Sequence, residues 1–144
     1  GGNTFGWTSD REASFAVLDA FAAAGGNFID TADSYSMWAE GNEGGESERI
    51  IGEWMKERGN RAEVIIATKV GGLNTRPGLS KENADAALDE SLARLQTDYV
   101  DVYYAHYDDD SISIAEQVRD GKIAGETSTS SQNARQRIDE FLAS

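Results

Sequence analysis

Four side chains in this sequence are of the types that move protons: Asp30, Tyr35, Lys69 and His106. Each falls where an apolar segment hands over to a polar loop, the position at which parallel sheets collect their ligands. Lys69 lies inside Ile65-Ile-Ala-Thr-Lys-Val70, an otherwise apolar run. An ammonium buried there alone is costly, so it requires a carboxylate, and Asp30 on the preceding strand is the natural candidate. A phenol that gives up its proton beside an ammonium leaves a stabilised phenolate, which makes Tyr35 a candidate general acid. Each residue also has a plain structural reading. Lys69 can snorkel, Tyr35 can be a loop aromatic, Asp30 can cap a turn, and His106, the only histidine, can be a half-buried ring. Residue types alone leave those alternatives open; placement at three successive strand ends favours one shared pocket.

The elements that must position these groups alternate. Asn3 to Trp7 reads as a short strand, followed by a helix opened by Asp10 that carries Val17, Leu18, Phe21 and Ala22 at helical spacing until Gly25-Gly26. Asn27 to Ala32 reads as a second strand. A Gly-rich loop then leads to a helix with Ile50, Ile51, Trp54 and Met55 on one face, ended by Gly59. Glu63 to Val70 has the near-continuous apolar character of a strand covered on both faces. Ser80 is a candidate N-cap for a helix with Ala84, Ala87, Leu88, Ser91, Leu92 and Leu95 on its stripe. Tyr99 to Tyr107 reads as a fourth strand, Ile112 to Arg119 as a short helix, Ile123 to Thr129 as a fifth strand, and a closing helix carries Ile138, Phe141 and Leu142. The expectation is α/β, one domain over residues 1–144, with about five β/α units. Parallel neighbours need crossovers, so the sheet is either open and doubly wound or part of a barrel.

Composition narrows the function classes. The 144 residues carry a formal net charge of -13 and no basic patch, which disfavours a nucleic-acid partner. With no cysteine and one histidine, a zinc site is disfavoured, the Asp108-Asp109-Asp110 run reads as a solvated loop, and no metal is expected. No apolar run approaches the ~20 residues of a membrane span, so a soluble, cytoplasmic protein without a membrane partner is expected. The chain has neither a G-x-G-x-x-G fingerprint nor a Walker-type phosphate loop.

Five segments can be taken together: Asn27-Phe-Ile-Asp-Thr-Ala-Asp-Ser-Tyr35, Gly45-Glu-Ser-Glu48, Ile66-Ala-Thr-Lys69, Ala87-Leu-Asp-Glu-Ser-Leu-Ala-Arg-Leu95 and Asp98-Tyr-Val-Asp-Val-Tyr-Tyr-Ala-His106. In their order and spacing they resemble the aldo-keto reductase family. The resemblance implies a (β/α)8 barrel, here a partial one, and hydride transfer between NADPH and a small aldehyde or ketone. It further implies that Tyr35 donates a proton, Lys69 stabilises the phenolate, Asp30 keeps Lys69 charged and His106 orients the carbonyl. Thr4 and Phe5 match positions near the nicotinamide; with Asp30, Thr129 and Ser130 they form the implied set for NADP(H). Met37 and Trp38 would be part of an apolar substrate wall.

The match runs from Asn3 to about Tyr107 and then departs. Ser130 stands where the family has an Asn, and Glu126 falls on a strand position that should face apolar neighbours. The chain stops after the fifth helix, short of the roughly 250 residues of a full barrel. An open five-unit sheet has two free edges, which a second copy would cover. Two functional readings follow: a carbonyl reductase, or a non-catalytic half-barrel that keeps the tetrad and self-associates without cofactor.

Overall fold

The computed structural model describes residues 1–107, 109 and 111. Three parallel strands form its centre: β1 (Phe28–Asp30), β2 (Ile65–Val70) and a strand near the end of the described chain (Val102–Ala105). Between β2 and that last strand lies a two-stranded antiparallel hairpin, β3 (Gly72–Leu73) and β4 (Arg76–Pro77), so the last strand is β5. The sheet order is β1-β2-β5, with Asp30 opposite Ala67 and Lys69 opposite Tyr104. Each pair is joined by a helical crossover, α2 (Glu46–Arg58) from β1 to β2 and α3 (Lys81–Leu95) from β2 to β5, as parallel pairing demands. Helix α1 (Arg11–Ala23) precedes β1 and packs on α2, which packs on α3. This is α/β architecture of the partial-barrel kind.

Local chemistry sets the helix ends. The Asp10 carboxylate accepts from the Ala13 amide at 2.9 Å to start α1, and the Ser80 hydroxyl accepts from the Asn83 amide at 3.3 Å to start α3. Gly59, at φ 64°, ends α2 in the left-handed conformation that lacks a Cβ penalty. The core joins Phe15 and Leu18 of α1, Ile51, Trp54 and Met55 of α2, Ile66 of β2 and Leu88 and Leu95 of α3, with Phe5, Ile29 and Val100. One charged pair penetrates it. Glu48 is fully buried, its carboxylate accepting from Arg94 Nε and from the Thr68 hydroxyl, both at 2.6 Å.

Two expectations differ in detail. Asn3 to Trp7 does not form a strand: the amides of Trp7 and Ser9 both donate to the Thr4 carbonyl, closing turns instead of a ladder, and only an isolated bridge links Phe5 to Ser9. Gly6 allows this, at φ 79° and packed so closely on α2 that a Cβ would lie 2.6 Å from that of Glu46. The hairpin β3–β4 fills a stretch between Val70 and Ser80 for which no strand was expected. The expected helix from Ile112, the fifth strand and the closing helix lie outside the described residues. Among the described residues no helix is long and apolar enough to cross a membrane, and no group of three or more metal-ligating side chains is gathered.

Candidate active site

The carboxyl ends of β1 and β2 bring three of the expected groups into contact. Lys69 Nζ lies 2.7 Å from Asp30 Oδ1 and donates to the Tyr35 hydroxyl at 2.8 Å. The Tyr35 hydroxyl in turn donates to Asp30 Oδ2 at 3.1 Å, so each member touches both others. The ammonium also donates to the Thr31 carbonyl at 2.7 Å and stands 4.4 Å from the centre of the Tyr35 ring. Lys69 and Asp30 keep 15% and 30% of their side-chain surface, so the pair is sheltered yet open on one side. That answers the cost of placing a cation in an apolar strand: it is partnered by a carboxylate, a phenol and a carbonyl.

The loop that presents Tyr35 is held from several directions. Ser36 adopts a left-handed φ of 69°, uncommon for a residue other than glycine. Its buried hydroxyl donates to the Phe5 carbonyl at 2.7 Å, and the Asn42 amide donates to the carbonyls of Ser36 and Gly6. Tertiary hydrogen bonds therefore over-determine a conformation that local preference disfavours.

His106, just beyond β5, stands with its ring centre 5.9 Å from that of Tyr35 and edge-on to it. Its Nδ1 is 3.3 Å from the Ser34 hydroxyl, and Tyr107 stacks on its face at 4.6 Å. Burial, then the Lys69 ammonium, push the imidazole below its ordinary range, with the Asp30 carboxylate opposing. Trp38 lies beside the Tyr35 ring at 6.4 Å and meets Trp7 edge-on at 5.7 Å. Met37 instead faces a cleft bounded by Gly44, Arg49, Leu73 and Arg94. Thr4 is half-buried, on a turn whose start is tied to β1 by a hydrogen bond from the Gly2 amide to the Asp30 carbonyl at 2.7 Å. The ring of Phe5 is packed into the core. Thr129 and Ser130 lie outside the described residues.

Four residues near this centre escape a reading by residue type alone. Ser34, Trp7 and Tyr107 reach it only through the packing of loops, and no spacing in the sequence marks them. Asp33 is 2% exposed, its Oδ1 has no hydrogen-bond partner among the described residues, and burial, reinforced by Glu48, raises its carboxyl to about 7. An acidic residue within a motif that also supplies Asp30 and Tyr35 was the available signal.

As chemistry, the arrangement offers a phenolic proton, an ammonium to hold the resulting phenolate, a carboxylate to balance the ammonium and a near-neutral imidazole. Comparison with known proteins identifies the family and the fold that carry this site. An aldo-keto reductase from Bacillus halodurans, in its holo form, superposes with a TM-score of 0.65 at 32% identity, covering 78% of this chain and 37% of that one. The aryl-alcohol dehydrogenase [NADP(+)] of Phanerodontia chrysosporium is 39% identical over 122 residues, 76% of this chain and 30% of its own. An uncharacterised 11.2 kDa protein in the crtE 3′ region of Pseudescherichia vulneris is 56% identical over 72 residues, 49% of this chain and 70% of that one. The chain thus spans about a third of the length of the first two. The Aldo/keto reductase family model matches residues 1–124, and with that match over most of its length the chain belongs to the aldo-keto reductase family.

Proposed function

We propose that this chain carries the proton-donating centre of an NADPH-dependent oxidoreductase that reduces an aldehyde or ketone, with Tyr35 as general acid. One observation carries the reading: the mutual contact of Lys69 with Asp30 at 2.7 Å and with the Tyr35 hydroxyl at 2.8 Å, at the half-open end of a parallel sheet. Tyr35 passes its proton to the carbonyl oxygen as that oxygen gains negative charge. Lys69 stabilises the phenolate left behind, and Asp30 keeps the ammonium in place. His106 donates to the same oxygen and fixes the direction from which it is protonated. Trp38, exposed beside the Tyr35 ring, supplies an apolar wall.

The donor set of this centre fits the reactive end of a nicotinamide dinucleotide. Asp30 keeps part of its carboxylate open, and the adjoining turn carries the Thr4 hydroxyl, groups suited to a ribose or a carboxamide. Phe5 would support that turn from the core, and Thr129 and Ser130 complete the proposed set. NADPH, when bound, supplies the hydride. A relative named for NADP(+) supports this choice of cofactor.

The test compares wild type with Tyr35→Phe. NADPH binding is followed by its fluorescence, and turnover by NADPH oxidation with a small aldehyde. Loss of the general acid is expected to lower the rate about 100-fold or more while leaving binding intact. Equal rates in the two proteins reject the catalytic reading, and a wild type that does not bind NADPH favours the non-catalytic half-barrel.

A further inference from the structure

The imidazole of His106 is held by three neighbouring side chains. Tyr107 lies parallel to it within 3°, Tyr35 meets it edge-on, and Ser34 engages Nδ1 at 3.3 Å. The backbone of β3 closes over this last contact. A Cβ on Gly72 would stand 2.6 Å from His106 Nδ1 and 2.8 Å from Ser34 Oγ, distances that real side chains do not tolerate. Glycine at position 72 is what lets β3 lie against both partners at once.

A neutral imidazole carries one proton, on either nitrogen, and the hydrogen bond made by one nitrogen decides the state of the other. The charged groups facing His106 are the Lys69 ammonium of β2 and the Asp30 carboxylate of β1; together with burial their balance keeps the ring neutral. Between a hydroxyl and an imidazole nitrogen, the nitrogen is the more basic atom and the better acceptor. Were the proton on Nδ1 instead, Nε2 would be a bare acceptor with nothing to offer a carbonyl oxygen.

We propose that Ser34 is a positioning residue: under the cover of Gly72 its hydroxyl donates to His106 Nδ1 and so keeps the imidazole proton on Nε2. The use of that proton, donation to the substrate carbonyl, rests on the reductase reading; the tautomer itself does not.

Because the chain has one histidine, protein carrying 15N-histidine gives a single imidazole in long-range 1H–15N spectra, and the pattern reports which nitrogen is protonated. At pH 8 the wild type is expected to show the proton on Nε2. Ser34→Ala should introduce a population protonated on Nδ1, Ser34→Thr should restore the wild-type pattern, and Gly72→Ala, which forces the partners apart, should act like Ser34→Ala. In NADPH-dependent aldehyde reduction Ser34→Ala should lose about tenfold in kcat and Ser34→Thr much less. A wild-type proton on Nδ1 overturns the proposal, a result that needs no variant to fold. So does an unchanged spectrum in both Ser34→Ala and Gly72→Ala. A wild type with the expected spectra but no NADPH oxidation supports the tautomer assignment and defeats only the reductase reading.

Discussion

Removing the guanidinium of Arg94 should destabilise the protein more than any exposed ion pair would. Glu48 has no solvent exposure and takes its two polar contacts from Arg94 Nε and the Thr68 hydroxyl, each at 2.6 Å; Arg94 itself keeps only 13% of its side-chain surface. In Arg94→Leu the Glu48 carboxylate retains one neutral donor in a site closed to water. Breaking a buried pair from one side costs about 3–5 kcal/mol, because a buried charge is left uncompensated. That is a large share of the roughly 5–15 kcal/mol by which domains are stable, and corresponds to a fall in Tm on the order of 10–20 °C. Thermal and urea unfolding followed by tryptophan fluorescence measure it, Trp54 being buried in the same core. The double variant Glu48→Gln, Arg94→Leu removes both charges while keeping an acceptor for Thr68, and should recover about 2 kcal/mol relative to the sum of the single losses. A Tm lowered by less than about 3 °C in Arg94→Leu, or additive losses in the double variant, would refute the reasoning.

Two further outcomes concern titration. The Asp33 carboxyl is raised to about 7 in the folded chain, above its ordinary value, so the native state holds a proton that the unfolded state releases. Its contribution therefore favours folding at low pH and is lost as pH rises from about 4 to 7, on the order of a few kcal/mol, then levels. Asp33→Asn should remove that slope and be relatively more stable at pH 8; parallel stability curves for the two proteins between pH 4 and 7 would contradict it. His106 should titrate below its ordinary ~6.5 in NMR, and Lys69→Met, by deleting a neighbouring positive charge, should raise that midpoint. An unchanged midpoint would mean that burial alone depresses it.

What could be read without coordinates was whatever depends on short-range periodicity and on the cost of burying charge. The alternation of apolar segments pointed to strands over Asn27 to Ala32 and Glu63 to Val70, of which 28–30 and 65–70 pair in the sheet, and to the helix between them, because a residue's preference for a covered sheet or an amphipathic helix is set by near neighbours. Lys69 required an anion, and Asp30 is where that anion stands, 2.7 Å away. The short reach from Asp30 to Tyr35 brought the phenol to the same ammonium.

The tertiary structure decided the rest, because it depends on which loops pack together rather than on spacing. Asn3 to Trp7 looks extended, yet its amides close turns once Gly6 docks on Glu46. Ser34 is an ordinary loop serine until β5 carries His106 to within 3.3 Å of it and β3 seals the contact. Phe5 enters the core and Met37 faces a cleft beside α2 and α3, while Trp7 and Tyr107 flank the centre. Glu48 meets Arg94 across 46 residues, a pairing made by the contact of α2 with α3. Sequence alone determined which groups needed partners; the fold determined which partners they obtained, since hydrogen bonds and ion pairs between distant residues are selected by packing and not by their separation along the chain.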